Sequence, residues 1–95
     1  MNIKSERMDR LFEIILGLET VEECYAFFTD LCTIKELKDM SKRFEAAIRL
    51  NEGANYLDIA ADVGLSTATI SRVSRSLNYG EGGYQAALER LNNKK

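Results

Sequence analysis

The chain contains no histidine, no proline and no tryptophan, and its two cysteines, Cys24 and Cys32, form no CxxC pair. Without histidine, the commonest general base and the commonest metal ligand are both missing. No zinc site is therefore expected, and no metal or cofactor. There is no Gly-rich phosphate loop and no nucleophile beside a base, so an enzyme is not expected either. Carboxylates such as Glu22 and Glu23 read as helix N-terminal charges instead. Cys24 and Cys32 fall in one helical pattern, about 12 Å apart along its axis. That separation excludes a disulfide within the helix, and buried thiols are the expectation. No apolar run approaches the roughly 18 residues of a membrane span. The charged opening MNIKSERMDR is followed by no signal-peptide core. A cytoplasmic protein with no membrane partner is expected.

What is present points to helices. A chain of 95 residues is read as one domain. It can bury roughly 65% of its unfolded surface, enough for one modest core. Net charge is −2, which by itself speaks against a nucleic-acid partner. The distribution is less uniform. Residues 1–62 carry 8 basic and 13 acidic side chains, a sum of −5, while residues 63–95 carry 5 basic and 2 acidic, a sum of +3. No acid occurs between Asp62 and Glu81, a window that holds Arg72 and Arg75. Such asymmetry is a pointer to one polyanion-facing end.

Six helical segments are predicted and no strand. The first runs from about Ser5 to Gly17, with Met8, Leu11, Phe12 and Ile15 at i, i+3, i+4, i+7 spacing. Ile14, Leu16 and Leu18 add apolar surface on other sides, which calls for a partner subunit to cover it. Thr20-Val-Glu-Glu23 and Thr33-Ile-Lys-Glu36 are capping boxes opening the second and third helices. Asn51–Asn55 ends the third, with Gly53 free to take positive φ. The fourth helix is Tyr56 to Val63 and the fifth Thr67 to Leu77. NYGEGG follows as a turn, then a last helix from Gly83 to Asn92, with the terminal NNKK fraying.

The fourth and fifth segments fit a helix-turn-helix. Counting Tyr56 as position one, Ala60 is fifth, Gly64 ninth, Ile70 fifteenth and Val73 eighteenth. A small residue is needed at Ala60, where the second helix crosses close. Gly64 suits a left-handed corner. Ile70 and Val73, with Ile59 and Val63, form the wedge between the two helices, and Ser66 is placed to cap the second. Thr67, Ala68, Thr69, Ser71, Arg72 and Arg75 remain outward. Small residues let a helix enter a major groove, hydroxyls reach base edges or phosphates, and alanine or threonine methyls meet thymine methyls. The helix N-terminus adds amides that favour a phosphate.

The stretches KRFEAAIRLNEG and ATISRVSRSLN, then a glycine-bearing turn and ALERL, resemble the tryptophan repressor superfamily from about Thr33 to Asn92. The resemblance implies an all-α, six-helix fold forming an intertwined homodimer whose N-terminal helices bury each other. Residues 1–54 would then be the dimerisation and core helices, 56–77 the helix-turn-helix and 83–92 the C-terminal helix. It implies double-stranded DNA as partner, with Thr67, Ala68, Thr69 and Ser71 approaching bases or phosphates. With the cap, the outward arginines and the end of the helix added, the DNA-binding residues are expected to be Ser66, Thr67, Ala68, Thr69, Ser71, Arg72, Arg75 and Asn78. The resemblance also implies an effector pocket, to which Thr33, Arg43, Arg72, Val73 and Ser76 correspond.

The chain departs from the family pattern in two places. Val73 stands where the family has glycine, and its isopropyl group occupies space an indole ring needs. Tryptophan is therefore not the expected effector, although a smaller ligand stays open. Arg43 is expected in a structural ion pair and Arg72 on a phosphate. The first helix of the motif, YLDIAADV, carries Asp58 and Asp62 where the family sets basic side chains against phosphates. Each basic side chain missing from a phosphate lowers the salt slope by about one unit. The leading reading is a homodimeric, DNA-binding transcriptional regulator, a repressor. The alternative is a protein–protein interaction module that keeps the helix-turn-helix only as scaffold.

Overall fold

The computed structural model describes residues 3–94; Met1, Asn2 and Lys95 lie outside the described residues. Of the tail expected to fray, Asn92 and Asn93 instead continue the last helix. Six α-helices follow one another: α1 (Glu6–Leu16), α2 (Val21–Leu31), α3 (Ile34–Asn51), α4 (Tyr56–Val63), α5 (Thr67–Tyr79) and α6 (Gly83–Asn93). No strand occurs among the described residues. The chain divides into two compact units, Met1–Leu37 and Lys38–Lys95, and the division falls within α3.

In the first unit each helix begins on a hydroxyl. Ser5 accepts the Met8 amide at 3.1 Å, and Thr20 accepts that of Glu23 at 3.1 Å. The box at Thr20 closes through side chains only: its hydroxyl donates to Glu23 Oε1 at 3.4 Å. The box at Thr33 is reciprocal. Its Oγ1 accepts the Glu36 amide at 3.0 Å, and Glu36 Oε1 accepts the Thr33 amide at 2.8 Å. A box of this kind satisfies two amides that the first helical turn leaves without partners. Neither α1 nor α2 contains a buried residue, and Phe12, Ile14, Leu16, Val21 and Tyr25 are all exposed. The rings of Phe27 and Phe28 meet edge to face at 5.4 Å. Cys24 and Cys32 are free thiols, half-buried rather than buried. Cys32 is already extended at the C-terminal cap of α2, which takes it out of the tightest packing.

The second unit holds the core. Ala46 and Ala47 of α3, Ile59 of α4, and Ile70 and Val73 of α5 form one buried cluster. Leu50, Ala54, Ala60, Val63, Leu65 and Tyr84 pack around it. The two alanines give α3 a flat face, and the β-branched side chains of α4 and α5 fill the space against it. Leu77 and Leu88 are also buried, and α5 packs against both α4 and α6. Helix α3 ends as expected, with Gly53 at φ 90°. The Gly53 amide donates to Leu50 at 3.0 Å and the Ala54 amide to Arg49 at 3.1 Å, the paired closure of a Schellman motif.

The Thr33 amide lowers the Glu36 carboxyl below its ordinary value, with the Thr33 hydroxyl adding to the effect. A carboxyl held low in the folded state stabilises it above the unfolded-state value, and this is lost as pH falls through the folded value. Glu36→Gln keeps the acceptor without the titration. Its stability should therefore vary less than that of the unaltered chain between about pH 6 and pH 3, as read by urea denaturation across that range.

Candidate nucleic-acid interface

Two short helices meet here at a corner set by local chemistry. Asn55 opens α4: its Oδ1 accepts the Asp58 amide at 2.9 Å, and its Nδ2 donates to Asp58 Oδ2 at 2.9 Å. Gly64 closes α4 at φ 74° and ψ 40°, with its amide on the Ala60 carbonyl at 3.0 Å. This left-handed conformation costs most residues about 1 kcal/mol or more, but not glycine. Space is not the constraint, since a Cβ added at Gly64 would meet only Lys42 Nζ, at 3.8 Å. Leu65 then turns into the core rim. Ser66 starts α5 with its Oγ accepting the Thr69 amide at 3.1 Å and sharing a hydrogen bond with Thr69 Oγ1 at 3.0 Å.

Helix α5 has two faces. Ile70, Val73 and Leu77 are buried at i, i+3 and i+7. Thr67, Ala68, Ser71, Arg72, Arg75, Ser76 and Asn78 are exposed, while Thr69 and Ser74 are half-buried. Ala68 and Arg72 form one row of i, i+4 neighbours; Thr67, Ser71 and Arg75 form another. Ser66 and Thr69 thus belong partly to the helix cap. Asn78 folds back along its own helix, donating to the Ser74 carbonyl at 3.0 Å. No acid lies in the first turn of α5. Neither Arg72 nor Arg75 makes an ion pair among the described residues.

The helix runs two residues past Leu77, through Asn78 and Tyr79. Its end is closed by backbone and by α6. The Gly80 amide donates to the Ser76 carbonyl at 3.0 Å, and Gln85 Nε2 to the Leu77 carbonyl at 3.0 Å. A Cβ at Gly80 would collide with the Ser76 carbonyl oxygen. Both contacts escape a reading by periodicity; the glycine itself is the one signal of them in the sequence.

The residues matched to an effector pocket are placed as follows. Thr33 is occupied as the cap of α3. Arg43, Arg72 and Ser76 are exposed. Val73 is 3% exposed and sits in the cluster with Ala46, Ala47, Ile59 and Ile70, so its side chain is core. Arg43 has no ion pair among the described residues, contrary to expectation. Arg49 of α3 does reach a carboxylate on the next helix, with Nη1 2.9 Å from Asp62 Oδ2.

The family model of the Trp repressor protein matches residues 6–92, extending the likeness through the N-terminal third of the chain. YerC of Bacillus subtilis (strain 168), an uncharacterized protein, is 49% identical over 89 residues, which are 94% of this chain and 86% of YerC. The crystal structure of a TrpR-like protein from Eubacterium eligens ATCC 27750 is 52% identical, with a TM-score of 0.91 over 95% of this chain and 93% of its own. A crystal structure from Staphylococcus aureus is 46% identical, with a TM-score of 0.90 over 95% and 90% of the two chains.

The glycines that close α4 and α5 should respond differently to alanine. Gly64→Ala carries only the cost of the left-handed backbone, about 1 kcal/mol. Gly80, at φ −85°, carries no such cost, but a Cβ there drives into the Ser76 carbonyl, so Gly80→Ala forces the end of α5 apart and should cost more. Urea denaturation of the two variants ranks them; an equal or smaller destabilisation at Gly80 contradicts the close approach.

Proposed function

We propose that this chain, which belongs to the Trp repressor protein family, is a sequence-specific DNA-binding transcriptional regulator that acts as a homodimer and represses by occluding polymerase. Its family is one of regulators rather than enzymes. The observation that carries the reading is the outer surface of α5: exposed, acid-free, and bearing Thr67, Ala68, Ser71, Arg72 and Arg75 on a helix locked to its neighbour. In this reading Thr67, Ala68, Thr69 and Ser71 approach base edges, and Ser66, Arg72, Arg75 and Asn78 face phosphates. The α5 helix, 13 residues long, spans about 20 Å, enough to cross one groove.

The dimer is supported by α1 and α2, which leave large apolar side chains uncovered; Leu16 is 85% and Tyr25 72% exposed. A second copy covering that surface would present two reading helices to half-sites about 34 Å apart. No helix among the described residues is long and apolar enough to cross a membrane. Val73 favours a regulator that does not take tryptophan, because the space beside α3 holds its own side chain.

Selection from a random duplex pool should yield a bound sequence with two-fold symmetry. On that duplex Arg75→Ala should weaken binding and reduce the salt slope by about one unit. Thr69→Ala should weaken it too, and both variants should still sediment as dimers. Unchanged binding by both refutes α5 as the reading helix, and binding of no duplex favours the interaction-module alternative.

Titration calorimetry with tryptophan should give no binding heat at micromolar concentrations. A saturating isotherm would mean that Val73 leaves room for an indole after all.

A further inference from the structure

The charge of α4 runs against DNA binding. Asp58 and Asp62 are both exposed and stand four residues apart on one side of the helix that precedes the reader. Their environments differ. Asp58 accepts only the neutral Asn55 amide group. Asp62 is paired with Arg49, whose guanidinium is the more sheltered partner, at 28% exposure against 59% for the carboxylate. A single contact this exposed contributes little to folding. Its electrostatic effect is larger, because Asp62 is the last acid before Glu81. With Asp62 neutralised, the uncompensated negative charge of α4 moves back a full turn, to Asp58 and away from the start of the reading helix.

We propose that Arg49 is a positioning residue for nucleic-acid binding that acts through Asp62, cancelling the carboxylate that would otherwise repel the duplex backbone beside α5. The inference rests on the DNA-binding reading above. Arg49 leaves the last turn of α3 and meets the last turn of α4. It therefore delivers a positive charge to α4 from a neighbouring helix, where α4 itself carries no basic residue. The pair presents a neutral dipole to an approaching phosphate rather than a net negative charge, and the acid-free surface of α5 continues onto the end of α4.

The test uses the full chain and the duplex that it selects from a random pool. Affinity is measured at about 0.1 M salt, where charges within roughly 10 Å still interact. Arg49→Ala should weaken binding about tenfold, while Arg49→Lys, which keeps the charge, stays within about threefold of the unaltered chain. Asp62→Asn should bind at least as tightly as the unaltered chain, and adding Asp62→Asn to Arg49→Ala should restore the affinity. Circular dichroism of each variant reports the fold. Unchanged affinity in Arg49→Ala overturns the proposal. So does an equal weakening with and without Asp62→Asn, since Arg49 would then touch phosphate directly. Should Arg49→Ala fail to fold, Asp62→Asn and Arg49→Lys decide: weakened binding by a folded Asp62→Asn overturns the proposal. In each of these cases the DNA-binding reading stands, because the unaltered chain still binds. If the unaltered chain selects no duplex, both fall together.

Discussion

The angle between α4 and α5 rests on a corner with no side chain. Gly64 turns the backbone left-handed at φ 74°, Ser66 restarts the helix by capping Thr69, and Ile59, Ile70 and Val73 close over the gap. None of these contributions is large by itself: a left-handed glycine and a serine cap are each worth about 1 kcal/mol. Together they leave the two helices one arrangement. Every exposed group on α5 inherits its direction from that arrangement, so the surface proposed to meet DNA is positioned by contacts on its opposite side.

The second unit is built economically around this corner. Ala46 and Ala47 make α3 a flat support, and the β-branched side chains of α4 and α5 pack onto it. Helix α6 adds Leu88 to the interior and supplies Gln85 to the carbonyl of Leu77, which the end of α5 would otherwise leave to water. The first unit is organised differently. Its helices are well capped and carry no buried residue. Local hydrogen bonding defines them, and their apolar side chains are the feature that the homodimer reading explains.

What is legible in the sequence is what depends on near neighbours in the chain. The limits of α4, the positive φ of Gly53 and Gly64, the caps at Thr20, Thr33 and Ser66, and the inward positions Ile59, Ile70 and Val73 all follow from short-range stereochemistry and helical period. The family resemblance is also legible, though only over the last two-thirds of the chain; α1 and α2 carry less distinctive motifs, and the match extends through them. The features that escape a sequence reading are tertiary. Asp62 stands in the sequence as an open liability to DNA binding, and its partner is Arg49 rather than any residue on its own helix. The ion pair expected of Arg43 is made by Arg49 instead. The extra residues of α5 depend on Gly80 accepting a close carbonyl, which no apolar period signals.

Val73 carries an energetic consequence. Its isopropyl group is shared by α3, α4 and α5, at a position where the resemblance implies glycine. Replacing it by glycine would open a cavity costing about 2–3 kcal/mol and add about 1 kcal/mol of helix destabilisation. A small domain has only about 5–15 kcal/mol of stability to draw on. Exchanging this valine for glycine therefore draws on a large share of that reserve unless neighbouring interior side chains enlarge to fill the space.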